Sequence, residues 1–107
     1  MNYQLDLNDL NKVTVMLVQA LWGAISSNFR MVALNFSKPV WELLFVLERE
    51  DASDLEEIED VIGEFDALLL GLNAGVLKFE AKTILSTAPL PVVDPSSWRI
   101  VFRRREV

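Results

Sequence analysis

Asp51-Ala-Ser-Asp-Leu-Glu-Glu-Ile-Glu-Asp-Val-Ile-Gly-Glu-Phe-Asp-Ala-Leu-Leu-Leu-Gly-Leu72 is the stretch whose reading decides the fold. Leu55, Ile58, Ile62, Phe65, Leu69 and Leu72 recur at steps of three and four, which lines them along one face of an α-helix. Ser53 followed three residues later by Glu56 predicts a capping box, each side chain taking up a free backbone N–H of the other residue. Asn73-Ala74-Gly75 supplies turn chemistry to close the helix. Glu56, Asp60 and Glu64 fall at i, i+4 and i+8 on the face opposite the apolar stripe, with Glu57 beside them. Like charges at that spacing cost a helix a few tenths of a kcal/mol per pair. The N-terminal dipole offsets that cost at Glu56 and Glu57 and has faded by Glu64. Gly63, Ala67 and Gly71 share this outward face and would let another backbone come close. One reading is a solvated helix face; the other is a surface for a cationic partner.

On the N-terminal side, residues 5–22 read as a first helix. Leu7, Leu10, Thr14, Leu17 and Leu21 form its stripe, Asp6 is the expected N-cap, and Asp9 favours the dipole. From Val13 onward, Val15, Met16, Val18 and Trp22 make the helix apolar nearly all round. That pattern predicts burial on several sides, or a share in an oligomer interface. Gly23 and Ser26-Ser27-Asn28 break the helix. Phe29 to Phe36 reads as a strand with Val32, Leu34 and Phe36 on one face. Ser37-Lys38-Pro39 then turns the chain into a second strand from Val40 to about Arg49, in which Trp41, Leu43, Phe45 and Leu47 alternate. Leu44 and Val46 make its other face apolar too, as expected of a central strand, or alternatively of a binding patch.

Beyond the acidic helix, Val76 to Leu85 has a period of two. Leu77, Phe79, Ala81, Thr83 and Leu85 are expected inward, and Lys78, Glu80 and Lys82 outward. Ser86 to Ser97 holds Pro89, Pro91 and Pro95. It reads either as a functional loop or as an extended crossing held by Leu90, Val92 and Val93. Trp98 to Glu106 is the last strand, with Trp98, Ile100 and Phe102 facing one way and Arg99, Val101, Arg103 and Arg105 the other. The order α-β-β-α-β-β predicts an α+β two-layer sandwich. Its four-stranded sheet is largely antiparallel, with both helices on one face and strands two and three as parallel neighbours joined by a crossover. With 107 residues, a single domain over 1–107 is the expectation.

Composition excludes several function classes. There is no cysteine and no histidine. This removes disulfides, thiol nucleophiles, Ser-His-Asp and Cys-His catalysis, and zinc sites built on those ligands. Asp51 to Glu56 fails as a calcium loop because its fifth and sixth positions are Leu55 and Glu56. No glycine-rich phosphate loop is present. Carboxylate pairs such as Glu56 and Asp60 on an open helix face lack a pocket to tune them for acid–base work. No catalytic residue, cofactor site or metal site is therefore assigned, and an enzyme is not expected. The net charge is −6, with eleven acids against one base between Glu42 and Asp66, and four arginines without an acid between Arg99 and Arg105. An acidic total speaks against nucleic acid or an anionic membrane as partner and for a basic protein. The apolar run Val13 to Ile25 is too short to span a bilayer, and Asp6 and Asp9 stand where a signal peptide needs positive charge, so a cytoplasmic location is expected.

Arg103-Arg104-Arg105 reads either as anion recognition or as an aggregation-blocking edge whose charges pair with the helix acids. Arg30, if buried, calls for a carboxylate partner. Trp22, Trp41 and Trp98 are expected in the core or at its edge, and self-association into a homodimer through the first helix or a sheet edge is the alternative to a foreign partner.

The run Gly23-Ala-Ile-Ser-Ser-Asn-Phe-Arg-Met-Val-Ala-Leu-Asn-Phe36, the hairpin after it, the acidic helix and Trp98-Arg-Ile-Val-Phe-Arg-Arg-Arg-Glu106 together resemble small immunity proteins of bacterial contact-dependent inhibition and related polymorphic toxin systems. The resemblance spans roughly residues 7 to 106. It implies a cytoplasmic protein that binds one cognate toxin domain, often a basic nuclease, and blocks it. It supplies no residue-level toxin-binding motif. The partner-binding candidates Glu56, Glu57, Asp60 and Glu64 come from the helix pattern alone.

Overall fold

The computed structural model describes residues 7–71 and 78–106. Helix α1 spans Leu7–Ala20, strand β1 Phe29–Asn35, β2 Trp41–Leu47, helix α2 Ala52–Leu70, β3 Phe79–Leu85 and β4 Trp98–Arg103. The strands form one mixed sheet in the order β3-β2-β1-β4. β1 runs antiparallel to β2 and β4, whereas β2 and β3 are parallel, so α2 is the crossover between them. Both helices lie on one face, as expected. The Asp6 cap, Leu72, the closing turn at 73–75 and the proposed start of β3 at 76–77 fall outside the described residues.

The main core lies between the helices and the sheet. Leu10, Val13, Leu17, Ala20 and Leu21 from α1, and Ile58, Val61, Phe65 and Leu69 from α2, close over Phe29, Val32, Leu34, Leu43, Phe45 and Leu47. Val61 is fully buried although the expected α2 stripe omitted it, and Leu55 and Ile62 are only half-buried. The buried arc thus centres on Ile58, Val61, Phe65 and Leu69. Phe65 meets Phe79 at 5.1 Å between ring centroids, which ties α2 to the start of β3.

Two bulges set which side chain faces which layer. Phe29 pairs with Leu47 and Met31 with Val46, so Arg30 is an extra residue on β1. The bulge puts Phe29 on the helix side and Met31 on the other. Val32 pairs with Phe102 and Ala33 with Ile100, which makes Val101 an extra residue on β4. The alternation expected for β4 therefore fails at that point. Trp98 and Ile100 pack on the open face, while Val101 and Phe102 pack against the main core.

The open face has a second apolar cluster of Met31, Ala33, Leu44 and Val46, backed by Ile84, Leu90, Trp98 and Ile100. It is not the exposed patch that β2 alone suggested. Since β3 and β4 occupy opposite edges, the segment 86–97 must cross three strand spacings, about 14 Å. It crosses on this face, with Leu90 as its apolar anchor. Val92 takes no part, being 95% exposed.

Two further expectations are corrected. α1 is not buried on several sides: Val15 is 56% and Val18 48% exposed, because among the described residues the sheet and α2 cover its other side. On β3 the inward set Ala81, Thr83 and Leu85 is exposed, since α2 reaches the strand at Phe79 and leaves the rest of this edge uncovered.

Candidate partner-binding surface

Helix α2 is capped two residues earlier than its sequence pattern suggests. Asp51 is the N-cap, in extended conformation, and its Oδ1 accepts from the Asp54 N–H at 3.0 Å. Ser53 lies inside the helix and is exposed. The N-terminus is pinned from outside by Asn28, which is buried. Asn28 Nδ2 donates to Asp54 Oδ2 at 2.9 Å and to the Arg49 carbonyl at 2.8 Å, and its Oδ1 accepts from the Arg49 N–H at 2.9 Å. One amide thus joins the turn before β1, the end of β2 and the first turn of α2.

Pinned there, α2 presents a long acidic surface. Its 19 residues carry seven acids and no base. The rest of the chain, against a total of −6, is close to neutral. Glu56, Glu57, Asp60 and Glu64 are all exposed, as are Glu59 and Asp66, and none of the six makes an ion pair among the described residues. Gly63 lies in the middle of this face, and a side chain added there would meet nothing within 4 Å. The outward face holding Glu56, Asp60 and Glu64 is therefore accessible.

Beside it, α1 exposes an apolar line, where burial and an interface were the two expectations. Val15, Val18 and Trp22 follow one another at i, i+3 and i+7, and Trp22 is 89% exposed rather than in the core. The backbone around it is fixed. Trp22 N–H bonds to Gln19 O at 3.1 Å, Ala24 N–H to Leu21 O at 3.0 Å, and Gly23 adopts a left-handed φ of 78°. Trp41 is buried and Trp98 half-buried, as expected. The signal for Trp22 was present in the helical spacing: Leu10, Val13 and Leu17 on one side leave Val15, Val18 and Trp22 opposite.

The arginines of the C-terminal run do not reach α2. Arg30 Nε and Nη2 donate to the two Glu106 carboxylate oxygens at 2.7 and 2.6 Å, and Nη1 donates to Ser86 O at 2.7 Å. The buried Arg30 thus has the carboxylate partner it called for. Arg104 donates to Glu48 at 3.0 Å, to Glu106 at 2.9 Å and to Ser27 O at 2.8 Å. The paired guanidiniums, Arg30 foremost, pull the Glu106 carboxyl down to about 2. An open depression of about 330 Å³ sits over this network, lined by Arg30, Glu48, Thr87, Arg104, Arg105 and Glu106. Its arginines 30 and 104 are engaged by Glu48 and Glu106, so its work is to hold the end of β4 against β1 and β2. Arg103 and Arg105 make no ion pair among the described residues.

No group of three or more potential metal ligands occurs among the described residues, and no described helix is long and apolar enough to cross a membrane. What the fold offers is contact surface. The protein is of the immunity class, the bacterial proteins that neutralise toxins of polymorphic toxin systems. The family model described as MafI2 immunity protein matches residues 10–106, and the chain belongs to that family. No curated protein matches the sequence.

Proposed function

We propose that this immunity protein neutralises its cognate toxin by covering the toxin's functional surface with the helical layer, and that the toxin domain is a basic nuclease met in the cytoplasm. The observation that carries the reading is the outer face of α2, where Glu56, Glu57, Asp60 and Glu64 are exposed without an ion-pair partner among the described residues. A domain that acts on nucleic acid carries a cationic surface. An acidic inhibitor gains steered association with it and excludes the substrate's phosphates. Charge alone gives speed and selectivity more than affinity. Tight binding needs a desolvated anchor, and the exposed Trp22 with Val15 and Val18 on the neighbouring helix has the chemistry of one. The protein contributes occlusion and no reaction of its own.

The test is the variant carrying Glu56→Lys, Asp60→Lys and Glu64→Lys together, measured against the toxin encoded beside it. Association should slow, its dependence on salt should flatten, and protection of the cell should fall, with the melting temperature kept. An unchanged affinity and salt dependence would remove α2 from the interface.

A further inference from the structure

The two edges of the sheet differ. The β4 edge is broken by the bulge at Val101 and runs into Arg103, Arg104 and Arg105. Such features discourage pairing with another strand. The β3 edge has no bulge in its pairing and no run of like charge; its charges, Glu80 and Lys82, are opposite in sign. Its seven residues pair with β2 in unbroken register from Trp41↔Phe79 to Leu47↔Leu85, it contains no proline or glycine, and Glu80 to Thr83 are all exposed.

The direction of its free backbone groups follows from two bonds. Lys78 O accepts from the Trp41 N–H at 2.9 Å, and the Ser86 N–H donates to Leu47 O at 3.0 Å. Even-numbered residues of β3 therefore turn their backbone groups towards β2. Phe79, Ala81, Thr83 and Leu85 turn theirs outward to the open edge. The side chains divide likewise: Phe79 meets Phe65 on the helix side, and Ile84 packs on the open face with Glu80 and Lys82 in line.

We infer that β3 is a homodimerisation edge, pairing antiparallel with β3 of a second copy about a two-fold axis at Ala81. The charge pattern of the strand suits a second copy of itself, and of the axes that oppose unlike charges the one at Ala81 pairs more of β3 than the one at Phe79, which sets Lys78 opposite Glu80. With the axis at Ala81, Glu80 stands opposite Lys82 of the second copy and Lys82 opposite its Glu80, both as closely approaching non-hydrogen-bonded pairs. Ala81 meets Ala81, and Phe79 meets Thr83, through about six backbone hydrogen bonds. An axis at Glu80 would set Glu80 against itself and Lys78 against Lys82. An axis at Lys82 would set Lys82 against itself. The neighbouring registers are thus penalised by like charges, and the register at Ala81 joins two opposite pairs. Because α2 leaves Ala81 and Thr83 uncovered, the second copy meets strand rather than helix. This inference does not rest on the toxin-binding surface of α2, and it is tested on the chain alone.

Sedimentation equilibrium and native mass spectrometry on the full chain alone test it. The wild type should be a concentration-dependent dimer. Ala81→Pro removes an outward N–H and no bond to β2, and should give a monomer with an unchanged far-UV spectrum. Glu80→Lys should weaken the dimer by about tenfold or more. The double exchange Glu80→Lys with Lys82→Glu rebuilds both opposite pairs and should restore it, a result that requires this register. A wild type that stays monomeric at every soluble concentration overturns the inference. So does a dimer indifferent to Glu80→Lys, or one that the double exchange fails to rescue. The charge pair decides the matter even where Ala81→Pro does not fold.

Discussion

Replacing Asn28 by alanine tests how the acidic helix is held in place. The substitution removes two donated bonds and one accepted bond, at 2.8, 2.9 and 2.9 Å. It leaves the Arg49 carbonyl, the Arg49 N–H and the Asp54 carboxylate without their partner. Ordinary neutral hydrogen bonds contribute about 1 kcal/mol net, and one to a charged acceptor about 1.5–3 kcal/mol. The bond to Asp54 is fully buried, whereas water can reach the two at Arg49. Allowing for that relief, the loss should be about 3 kcal/mol, near 12 °C in melting temperature for a domain of this size. Urea unfolding followed by circular dichroism measures it. Asn28→Asp is the sharper companion. It retains the acceptor for the Arg49 N–H but sets a second carboxylate within hydrogen-bond distance of Asp54, so it should be the less stable of the two at neutral pH and recover part of the deficit in acid, when one proton bridges the pair. A loss below about 1 kcal/mol for Asn28→Ala, or no acid recovery for Asn28→Asp, would refute the view that this amide anchors α2.

Other expectations follow from the same contacts. The Glu106 carboxyl titrates near 2 when folded against an ordinary 4.5, so its stabilising effect is complete above 4.5 and is lost as pH falls towards 2. Acid unfolding of Glu106→Gln should accordingly be shallower than that of the wild type across that window. Gly23→Ala places a side chain at a φ of 78° with open space around it, so its cost is backbone strain alone, about 1 kcal/mol by thermal melting. Trp22→Ser should leave stability within about 0.5 kcal/mol, remove the component of tryptophan emission that acrylamide quenches readily, and speed dissociation of the toxin complex.

Element order and sheet partners were legible because two periodicities are clean. The three–four stripe of Ile58, Phe65 and Leu69 and the two-sided apolar run of β2 each point to one role in one layer. Side-chain direction was legible only where that period runs without interruption. Arg30 and Val101 are extra residues in their strands, and nothing in their identity announces a bulge; each one reverses its neighbours, so Phe102 moved to the helix side. The cap at Asp51 was masked by Ser53 and Glu56, which offer the same chemistry two positions on. Burial was overread for Trp22 and for β3, because hydrophobicity states what a residue would gain under cover and not whether a neighbouring layer extends that far. Among the candidate site residues, exposure of Glu56, Glu57, Asp60 and Glu64 was readable from the helix wheel, since the face opposite a buried stripe has no other place to go.

The segment 86–97, a strap over the open face, also implies an order of assembly. β1 is an inner strand, yet one of its two neighbours lies beside it in the chain and the other follows only after α2, β3 and the strap; the Arg30–Glu106 bond closes a loop of 76 residues. Closing long loops is what slows folding, so the hairpin of β1 and β2 is the natural early structure and β4 the late one. Until Trp98 and Leu90 arrive, Met31, Ala33, Leu44 and Val46 have no cover on their side of the sheet. Between the formation of the hairpin and the docking of β4, the sheet therefore carries an apolar face open to solvent.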